Sequence, residues 1–268
     1  MSGANAVAII PARLGSTRFP EKVLAARTGK PLIQHVYEAA ARAGSLSRII
    51  IAADDPRVLD AARAFGAEAV LTDAAHPNGT SRIAQAAQLL GLAHDQVIVN
   101  VQGDEPELDP LVIDQSVDAL ARGERLKESR VRVATAAADL SPSDDPLDPN
   151  CVKVVCALNG TALYFSRSLV PFDRDAKSRG PSPHARPMRH VGIYVYRREF
   201  LEQYAAMSPT PLEQTEQLEQ LRVLEHGWEI AVARVAPEAV HAGIDTPEQY
   251  EAFVARWWRT QNDRRPGG

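Results

Sequence analysis

The chain contains only two cysteines among its 268 residues, Cys151 and Cys156, in the stretch CVKVVC. Two residues five apart in a strand face opposite sides of the sheet and lie about 16 Å apart. A disulfide requires Cα atoms within about 7 Å. No CxxC motif or Cys/His cluster with zinc-ligand spacing is present. The sequence therefore predicts two packing cysteines and neither a disulfide nor a zinc site.

Long apolar runs and an excess of positive charge are also missing. The formal net charge of −4 gives no reason to expect nucleic acid or a membrane surface as a partner. No apolar run approaches the roughly 20 residues of a membrane span. The stretch MSGANAVAIIPARLG has no charged region before its short apolar run, so we expect no signal peptide and a cytoplasmic location.

Two nucleotide-binding fingerprints are absent. Neither the P-loop pattern GxxxxGK[ST] nor the dinucleotide pattern GxGxxG occurs, which disfavours a P-loop enzyme and a dehydrogenase. The composition, 45% hydrophobic and 24% charged, is ordinary for a globular protein. The length suffices for one large domain with a sizeable core.

Short apolar stretches alternate with amphipathic ones in the first hundred residues. The stretches with strand character are 6–10, 48–53, 68–72 and 96–101, and those with helical spacing are 31–44, 56–66 and 80–91. Such alternation is typical of βαβ units and therefore of a parallel sheet with helices on its faces.

The second half of the chain has a different pattern. Two apolar runs within 153–167 flank Asn159-Gly160, a strong hairpin signal. The basic, Gly/Pro-rich stretch 172–190 predicts a long loop. Further expectations are strands at 190–196 and 229–235, a helix at 211–227, a closing helix at 246–259 and a flexible tail at 261–268. Thr246 and Gln249 form a capping-box pattern at the start of the closing helix.

A basic loop follows the first predicted strand. The stretch PARLGSTRFPEK at 11–22 carries Arg13, Arg18 and Lys22 around small residues, which suits phosphate binding through backbone N–H groups and cations. The alternative is a solvated basic loop. The position after the first strand favours phosphate binding. We expect Lys22 to be a surface lysine that buries little of its side chain.

Two acids lie at distant points of the chain where they could hold a metal. Asp104 follows the strand at 96–101, and Asp245 precedes the closing helix. Mg²⁺ prefers one or two carboxylates together with phosphate oxygens, so these acids and the basic loop predict a metal–phosphate site. The alternatives are that Asp104 is a turn residue, that Asp245 is an N-cap, and that the turn at 78–80 caps a helix.

Several motifs together resemble one family, the 3-deoxy-D-manno-octulosonate (Kdo) cytidylyltransferases, or CMP-Kdo synthetases. They occur in the family's order between about residues 7 and 250: IIPARLGSTRFPEK, GKPLIQHV, NGTSR, VNVQGDEP, DPNCVKVV, ALYFSR, RHVGIYVY, PLEQTEQLEQLRVL and GIDTPEQY. The first loop and QGDEP are shared with related sugar-acid cytidylyltransferases. ALYFSR, RHVGIY and the PLE motif are more specific to the Kdo branch.

The resemblance implies an α/β, Rossmann-like nucleotide-diphospho-sugar transferase fold. Its sheet would be mixed and mostly parallel, with helices on both faces and a β-hairpin insertion. One domain would span residues 1–260, with a nucleotide-binding half at about 1–125 and sugar-binding and dimerisation segments at about 126–235. The closing helix would complete it.

The resemblance also implies the reaction: CTP and Kdo would give CMP-Kdo and diphosphate for lipopolysaccharide synthesis, with Mg²⁺ as cofactor. A homodimer is expected, built through the hairpin, with no nucleic-acid partner and no membrane insertion. The implied catalytic residues are Arg13, Lys22, Asp104 and Asp245, the last two as metal ligands. The implied CTP-binding residues are Ala12, Arg13, Ser16, Lys22, Asn78, Gly79, Thr80 and Gln102. The implied sugar-binding residues are Arg167, His190, Tyr194, Glu213 and Glu216.

Some residues depart from the family pattern or have other interpretations. Glu21 and Ser81 are unusual in the nucleotide segments, and Gln214 stands where histidine is common. Arg167 could instead form a surface ion pair, and His190 could be a core histidine. The acid sugar therefore stays open between Kdo, its 8-amino analogue and a sialic-acid-like sugar. A non-catalytic nucleotide-binding module is the alternative from another class, and the separated acids count against it.

Overall fold

The computed structural model describes residues 5–142, 144–175, 178, 186–239 and 243–263. Its strands are β1 Ala6–Ala12, β2 Leu46–Ala53, β3 Glu68–Leu71, β4 Val97–Asn100, β5 Val131–Asp139, β6 Lys153–Cys156, β7 Ala162–Ser166, β8 Met188–Arg197 and β9 Glu229–Val235. Its α-helices are α1 Leu32–Ala40, α2 Pro56–Ala64, α3 Gly79–Leu89, α4 Pro110–Glu124, α5 Arg198–Ala206, α6 Pro211–Glu216, α7 Gln220–Glu225 and α8 Pro247–Asp263.

The main sheet is mixed, as predicted. Its strand order is β3-β2-β1-β4-β8-β5-β9. The pairs β2–β3, β1–β2, β1–β4 and β5–β9 are parallel, and only β8 runs antiparallel to both of its neighbours. The parallel strands of the first half therefore have their carboxyl ends at one edge, where ligands bind in open α/β sheets.

The predicted hairpin forms and joins this sheet. Strands β6 and β7 pair antiparallel, and Gly160 adopts a positive φ of 83° in the turn between them. Strand β6 also pairs with the first part of β8, where Lys153 lies opposite Arg189. The hairpin thus extends the sheet beside the amino-terminal part of β8.

The core lies on both faces of the sheet because neighbouring side chains of β1 point to opposite sides. Ile10 packs in a cluster with Ile33 of α1 and Val112 of α4, whereas Ile9 packs with Ile83 of α3 and Phe200 of α5. A third, smaller cluster joins the closing helix to the start of α1 through Leu32, Ile244, Tyr250, Phe253 and Val254. Helices therefore cover both faces.

The structure corrects several sequence expectations. The helix expected at 211–227 is divided into α6 and α7 by Gln217, whose φ of 53° places it in the left-handed region. Helix α8 continues to Asp263, so residues 261–263 of the expected flexible tail are helical, and the rest of that prediction, 264–268, lies outside the described residues. Nine of the nineteen residues of the expected loop at 172–190 also lie outside them, and β8 begins within that range at Met188.

Both cysteines are free thiols, as expected from their spacing. Within the described ranges of the chain, no helix is both long and apolar enough to cross a membrane. Asp55 caps α2 through a hydrogen bond from the backbone N–H of Arg57, the role that its position before Pro56 favours.

Gly123 of α4 packs so closely against the sheet that a larger residue there tests the packing of the core. A Cβ atom there would lie 2.7 Å from Cγ1 of Val131 and 3.0 Å from Cβ of Ala231. In an exposed helix, glycine-to-alanine stabilises by up to about 1 kcal/mol, but overpacking costs about 1–3 kcal/mol. We expect Gly123→Ala to lower the free energy of unfolding by about 1 kcal/mol in denaturant titrations.

Gly44→Ala is the matched control, because the nearest atom to its Cβ would be an Asp114 carboxylate oxygen at an ordinary 3.7 Å. A Gly123→Ala protein at least as stable as the control would show that the α4–β5 contact adapts without cost.

Candidate active site

A polar cleft lies at the carboxyl ends of β1 and β4, with a cavity volume of about 320 Å³. Its walls come from the basic loop after β1, the turn before α3, the turn after β4 and the segment before α8. The lining residues include Arg13, Ser16, Thr17, Arg18, Lys22, His76, Asn78, Gly79, Arg82, Gln102, Gly103, Asp104, Glu219 and Asp245. Many of the predicted nucleotide and metal residues therefore meet in one place.

The basic loop is held in shape by backbone contacts. The Leu14 N–H donates to the Asp54 carboxylate at 3.1 Å, and the Leu14 carbonyl accepts from the N–H groups of Ser16 and Glu21. Glu21 adopts a positive φ of 55°, and its carboxylate accepts from Arg57 at 2.6 Å. Glu21, which departs from the family pattern, therefore pairs with Arg57 of α2 and leaves Lys22 free to enter the cleft.

Lys22 is the centre of the cleft's charge arrangement. Its ammonium group donates to the Asp104 carboxylate at 2.7 Å, to the Asp245 carboxylate at 3.1 Å and to the Ile244 carbonyl at 2.8 Å. Its side chain is only 10% exposed. The expectation of a surface lysine that buries little was therefore wrong, since three acceptors from distant segments surround it.

Asp245 is available for the cleft because another residue caps the closing helix. Thr246 Oγ1 accepts from the Gln249 N–H, and the Gln249 side chain accepts from the N–H groups of Asp245 and Thr246. This is the capping box expected from the sequence. The Asp245 carboxylate instead pairs with Lys22 and, at 2.9 Å, with Arg18.

The donor set fits Mg²⁺ if phosphate supplies the remaining ligands. Asp104 and Asp245 face a common point, which the Lys22 ammonium marks. Within the described ranges, no group of three or more His, Cys, Asp or Glu side chains converges on a metal position. Mg²⁺ is commonly held by one or two carboxylates, waters and substrate phosphates, so two carboxylates beside a basic loop suit that ion.

The turn before α3 closes the other side of the cleft. Asn78 caps the helix by accepting from the Ser81 N–H at 2.9 Å, so the capping interpretation of this turn is correct. Asn78 and Gly79 also line the cleft, whereas Thr80 is buried beneath them and donates to Glu219 at 3.1 Å. Ala12 is fully buried at the end of β1 and does not line the cleft.

The turn after β4 brings the two halves of the chain together. Gln102 lines the cleft and donates to the Gly192 carbonyl of β8 at 3.2 Å. A Cβ at Gly103 would lie 2.6 Å from the Pro11 carbonyl oxygen, so only glycine fits this approach. Burial and the neighbouring Asp104 raise the pKa of Glu105 to about 8, so this carboxyl is mostly protonated at neutral pH.

His190 and Tyr194 lie on β8 and are not among the residues that line the cleft. Burial lowers the pKa of His190 to about 4, so its ring is neutral at pH 7. The Thr135 hydroxyl lies within hydrogen-bond distance of the carbonyls of Val191 and Ile193 and of His190 Nε2 at 2.9 Å. The donor and acceptor roles in the Thr135–His190 contact depend on the tautomer of the ring.

Two residues beside them were missed by the sequence analysis. Glu219 lines the cleft, and Gln220 accepts from the Tyr194 hydroxyl at 3.1 Å. The Gln220 side-chain nitrogen is buried and has no hydrogen-bond partner. Desolvation raises the pKa of Glu219. The available signal was the LEQLR stretch of the resemblance, whose acid and amide were treated only as part of a continuous helix.

The other three predicted sugar residues point elsewhere. The Glu213 carboxylate forms a buried bidentate pair with Arg222, at 2.7 and 2.5 Å, and belongs to a capping box with Thr210. Arg167 and Glu216 bond to one another's backbone on the outside of α6. None of the five predicted sugar residues is among those that line the cleft. The side chains of Arg167, Glu213 and Glu216 are in addition bonded to other parts of the chain, so this geometry does not favour direct sugar contacts for these three.

The departures at Ser81 and Gln214 are peripheral in this geometry. The Ser81 hydroxyl lies 3.1 Å from the Asn78 carbonyl oxygen and 3.2 Å from His76 Nδ1, within the turn before α3. Gln214 is exposed on α6 and does not line the cleft.

A protein-family model described as "Cytidylyltransferase" matches residues 7–230 of the chain. The chain belongs to the cytidylyltransferase family. This match covers the basic loop, the turn before α3, the β4 turn and most of the second half of the sheet. The Asp245 segment lies beyond it, although the geometry joins that segment to Lys22.

Full-length relatives carry more specific names. A 3-deoxy-manno-octulosonate cytidylyltransferase of Geobacter sulfurreducens is 46% identical over 257 residues, which is 94% of this chain and 99% of that protein. One of Aliivibrio fischeri strain MJ11 is 47% identical over 248 residues, or 92% and 96% of the two chains. Because each alignment covers more than nine tenths of the 268 residues, both include Asp245.

Solved structures support the same family and fold. A CMP:2-keto-3-deoxy-manno-octonic acid synthetase complexed with CTP superposes with a TM-score of 0.85 at 37% identity, covering 96% of this chain and 99% of that one. A cytidylyltransferase of Leptospira borgpetersenii gives a TM-score of 0.58 at 15% identity, which shows a common fold only. The nucleotidyltransferase fold expected from the sequence is confirmed.

The contacts of Lys22 with Asp104, Asp245 and the Ile244 carbonyl, here called the Lys22 cluster, predict that Lys22 stabilises the fold. A lysine in a solvated basic loop would have no such effect. Lys22→Met removes the ammonium group that lies between the Asp104 and Asp245 carboxylates and donates to the Ile244 carbonyl, whereas Asp245 keeps its ion pair with Arg18. We expect a loss of about 1–3 kcal/mol in the free energy of unfolding, measured in denaturant without ligands. Adding Asp245→Asn should recover part of the loss, because one of the two facing charges is removed.

Lys30→Met is the matched control, because Lys30 is more exposed and forms its ion pair with Glu38, at 2.7 Å, while its ammonium lies over the Trp257 ring. Equal stability of the Lys22→Met and Lys30→Met proteins would contradict a stabilising role for the cluster.

Proposed function

We propose that this protein is a magnesium-dependent Kdo cytidylyltransferase, which converts CTP and Kdo to CMP-Kdo and diphosphate for lipopolysaccharide synthesis. The observation that carries the proposal is the Lys22 ammonium held between Asp104 and Asp245 beside a basic loop. This arrangement occurs in a chain of the cytidylyltransferase family whose relatives named for Kdo align over nearly its full length. The named substrates of those relatives supply the sugar and the nucleotide.

The chemistry suits the residues of the cleft. The anomeric hydroxyl of the sugar attacks the α-phosphorus of CTP, a new O–P bond forms, and the bond to the leaving diphosphate breaks. Negative charge grows on the phosphoryl and diphosphate oxygens during this step. Arg13, Arg18 and Lys22 line the cleft and stabilise that charge. Backbone N–H groups of the loop can add further donors.

Asp104 and Asp245 would hold Mg²⁺. When bound there, the ion supplies positive charge at the reacting phosphate and can lower the pKa of the attacking hydroxyl. Lys22 already lies between the two carboxylates, so it would stay close to the phosphates that complete the ion's ligands. The surrounding acids leave the cleft receptive to a cation, and the basic loop leaves it receptive to triphosphate.

The sugar is proposed to bind beside the α-phosphate, near Glu219, Gln220, His190 and Tyr194. These residues offer a carboxyl group, an unpartnered amide N–H, a neutral imidazole and a phenol. Such a mixed set matches a hydroxyl-rich sugar acid. The alternative acceptors are 8-amino-Kdo and a sialic-acid-like sugar, since the same groups can bind an amine or an amide.

The cellular setting follows from the substrates and one surface. An enzyme that consumes CTP requires the cytoplasmic nucleotide pool, so we propose that it acts there. The hairpin carries two exposed leucines, Leu158 at its turn and Leu163 on β7. Apolar groups on one exposed hairpin favour burial against a second copy, which supports a homodimer through this hairpin.

The activity is tested by diphosphate release from CTP with Kdo, 8-amino-Kdo, sialic acid or no sugar, each with and without Mg²⁺. We expect fast release with Kdo and Mg²⁺ and little without either. Asp104→Asn, nearly isosteric, should lower turnover by about 10²-fold or more while retaining the fold. Preference for another sugar, or equal turnover without a sugar, would replace the proposed reaction.

The dimer is tested with Leu163→Lys, which places a charge on the exposed face of β7. We expect the mass measured by light scattering to fall from that of two chains to that of one. Leu89→Lys, on the similarly exposed α3 residue, is the control and should leave the mass unchanged. A wild-type protein that is already monomeric, or a Leu163→Lys dimer, would remove this interface.

A further inference from the structure

The corner between α6 and α7 determines where Glu219 and Gln220 lie. Helix α6 ends at Glu216, Gln217 takes the left-handed conformation at φ 53° and ψ 49°, and α7 begins at Gln220. A left-handed conformation is unfavourable for a non-glycine residue, because its Cβ comes too close to the following carbonyl oxygen. Surrounding contacts must therefore hold this corner in place.

Arg167 binds the carbonyl groups at this corner. Its Nε donates to the Glu216 carbonyl at 2.7 Å, and one terminal nitrogen donates to the Gln217 carbonyl at 3.2 Å. The other terminal nitrogen donates to the Pro149 carbonyl at 2.8 Å. Carbonyls at a helix end lack intrahelical partners, so the guanidinium satisfies them and ties them to the segment before β6.

Glu216 fixes the same corner from the opposite direction. Its carboxylate accepts from the Arg167 N–H at 2.9 Å and from the Ser166 hydroxyl at 2.7 Å. Burial opposes ionisation of this carboxyl, but these hydrogen bonds outweigh it and lower the pKa of Glu216. The end of α6 is thereby fastened to the end of β7.

A buried lysine supports the network from beneath. Lys153 on β6 is fully buried, and its ammonium donates to the Arg167 carbonyl at 2.5 Å and to the Asp148 carbonyl at 3.1 Å. Both strands of the hairpin therefore contribute to holding Arg167, and through Arg167 they hold the corner.

We infer that Arg167 is a positioning residue for sugar binding, which acts by fixing the α6–α7 corner so that Glu219 faces the cleft and Gln220 lies beneath it, where it accepts from the Tyr194 hydroxyl. Each of the three guanidinium nitrogens of Arg167 already donates to a backbone carbonyl, and Arg167 does not line the cleft. The sugar carboxylate contact expected from the sequence is replaced by an indirect role. This inference rests on the proposed function for its kinetic readout.

The kinetic test is a double-mutant cycle of Arg167→Lys and Glu219→Ala, assayed as KM for Kdo and for CTP. A lysine cannot donate to three separate carbonyls. We expect Arg167→Lys to raise the KM for Kdo roughly tenfold and to leave the KM for CTP within about twofold. In the Glu219→Ala background, the same change should raise the KM for Kdo by less than about threefold, because coupled residues are not additive.

Arg234→Lys is the matched control, since Arg234 is an exposed arginine of β9 that pairs with Asp139 at 2.6 Å. It should change neither KM. Equal effects of Arg167→Lys in both backgrounds would indicate a direct sugar contact and overturn the inference. An unchanged KM for Kdo, or an equal rise in the KM for CTP, would also overturn it.

Hydrogen–deuterium exchange separates this inference from the proposed function. In Arg167→Lys without substrates, the amides of 217–221 should exchange faster than in the wild-type and Arg234→Lys proteins, with the strands of the main sheet unchanged. If the wild-type protein does not turn over Kdo, the proposed function is wrong. Hydrogen–deuterium exchange then still tests whether Arg167 holds the α6–α7 corner in place. Unchanged exchange at 217–221 would show that Arg167 does not hold it.

Discussion

The ammonium group of Lys22 is the contact on which the rest of the cleft depends. It joins residues 82 and 223 positions away in the chain, Asp104 and Asp245, and it also binds the Ile244 carbonyl. Ile244 packs in the same cluster as Leu32 and Tyr250. The contact that joins these charged groups of the cleft therefore also docks the closing helix against the first half of the chain, so the charge arrangement and the fold are coupled at this point.

Strand β8 carries the second constraint, because it connects the two halves of the site. It pairs antiparallel with β4, whose end supplies Gln102 and Asp104, and with β5 on its other edge. Gln102 reaches across to the Gly192 carbonyl. The proposed nucleotide side and the proposed sugar side are therefore parts of one hydrogen-bonded sheet, and the distance between them is set by strand spacing.

The proposed sugar side depends on contacts remote from the cleft. The hairpin, through Lys153 and Arg167, fixes a corner that places Glu219. The same hairpin carries the exposed leucines proposed for dimerisation. A change at the dimer surface could thereby reach the sugar residues through contiguous hydrogen bonds, whereas the Lys22 cluster has its own separate supports.

Local pattern in the sequence determined the βαβ units, the hairpin at Asn159-Gly160 and the capping box at Thr246, since each depends on residues a few positions apart. The family motifs also indicated Arg13, Lys22, Asp104 and Asp245, which meet as expected. Only the tertiary structure decided that Lys22 is buried and that Glu213 pairs with Arg222. It also decided that Gln217 breaks a helix whose apolar spacing continues through it. Burial, pairing and a left-handed corner are set by partners far along the chain, and no local periodicity encodes those partners.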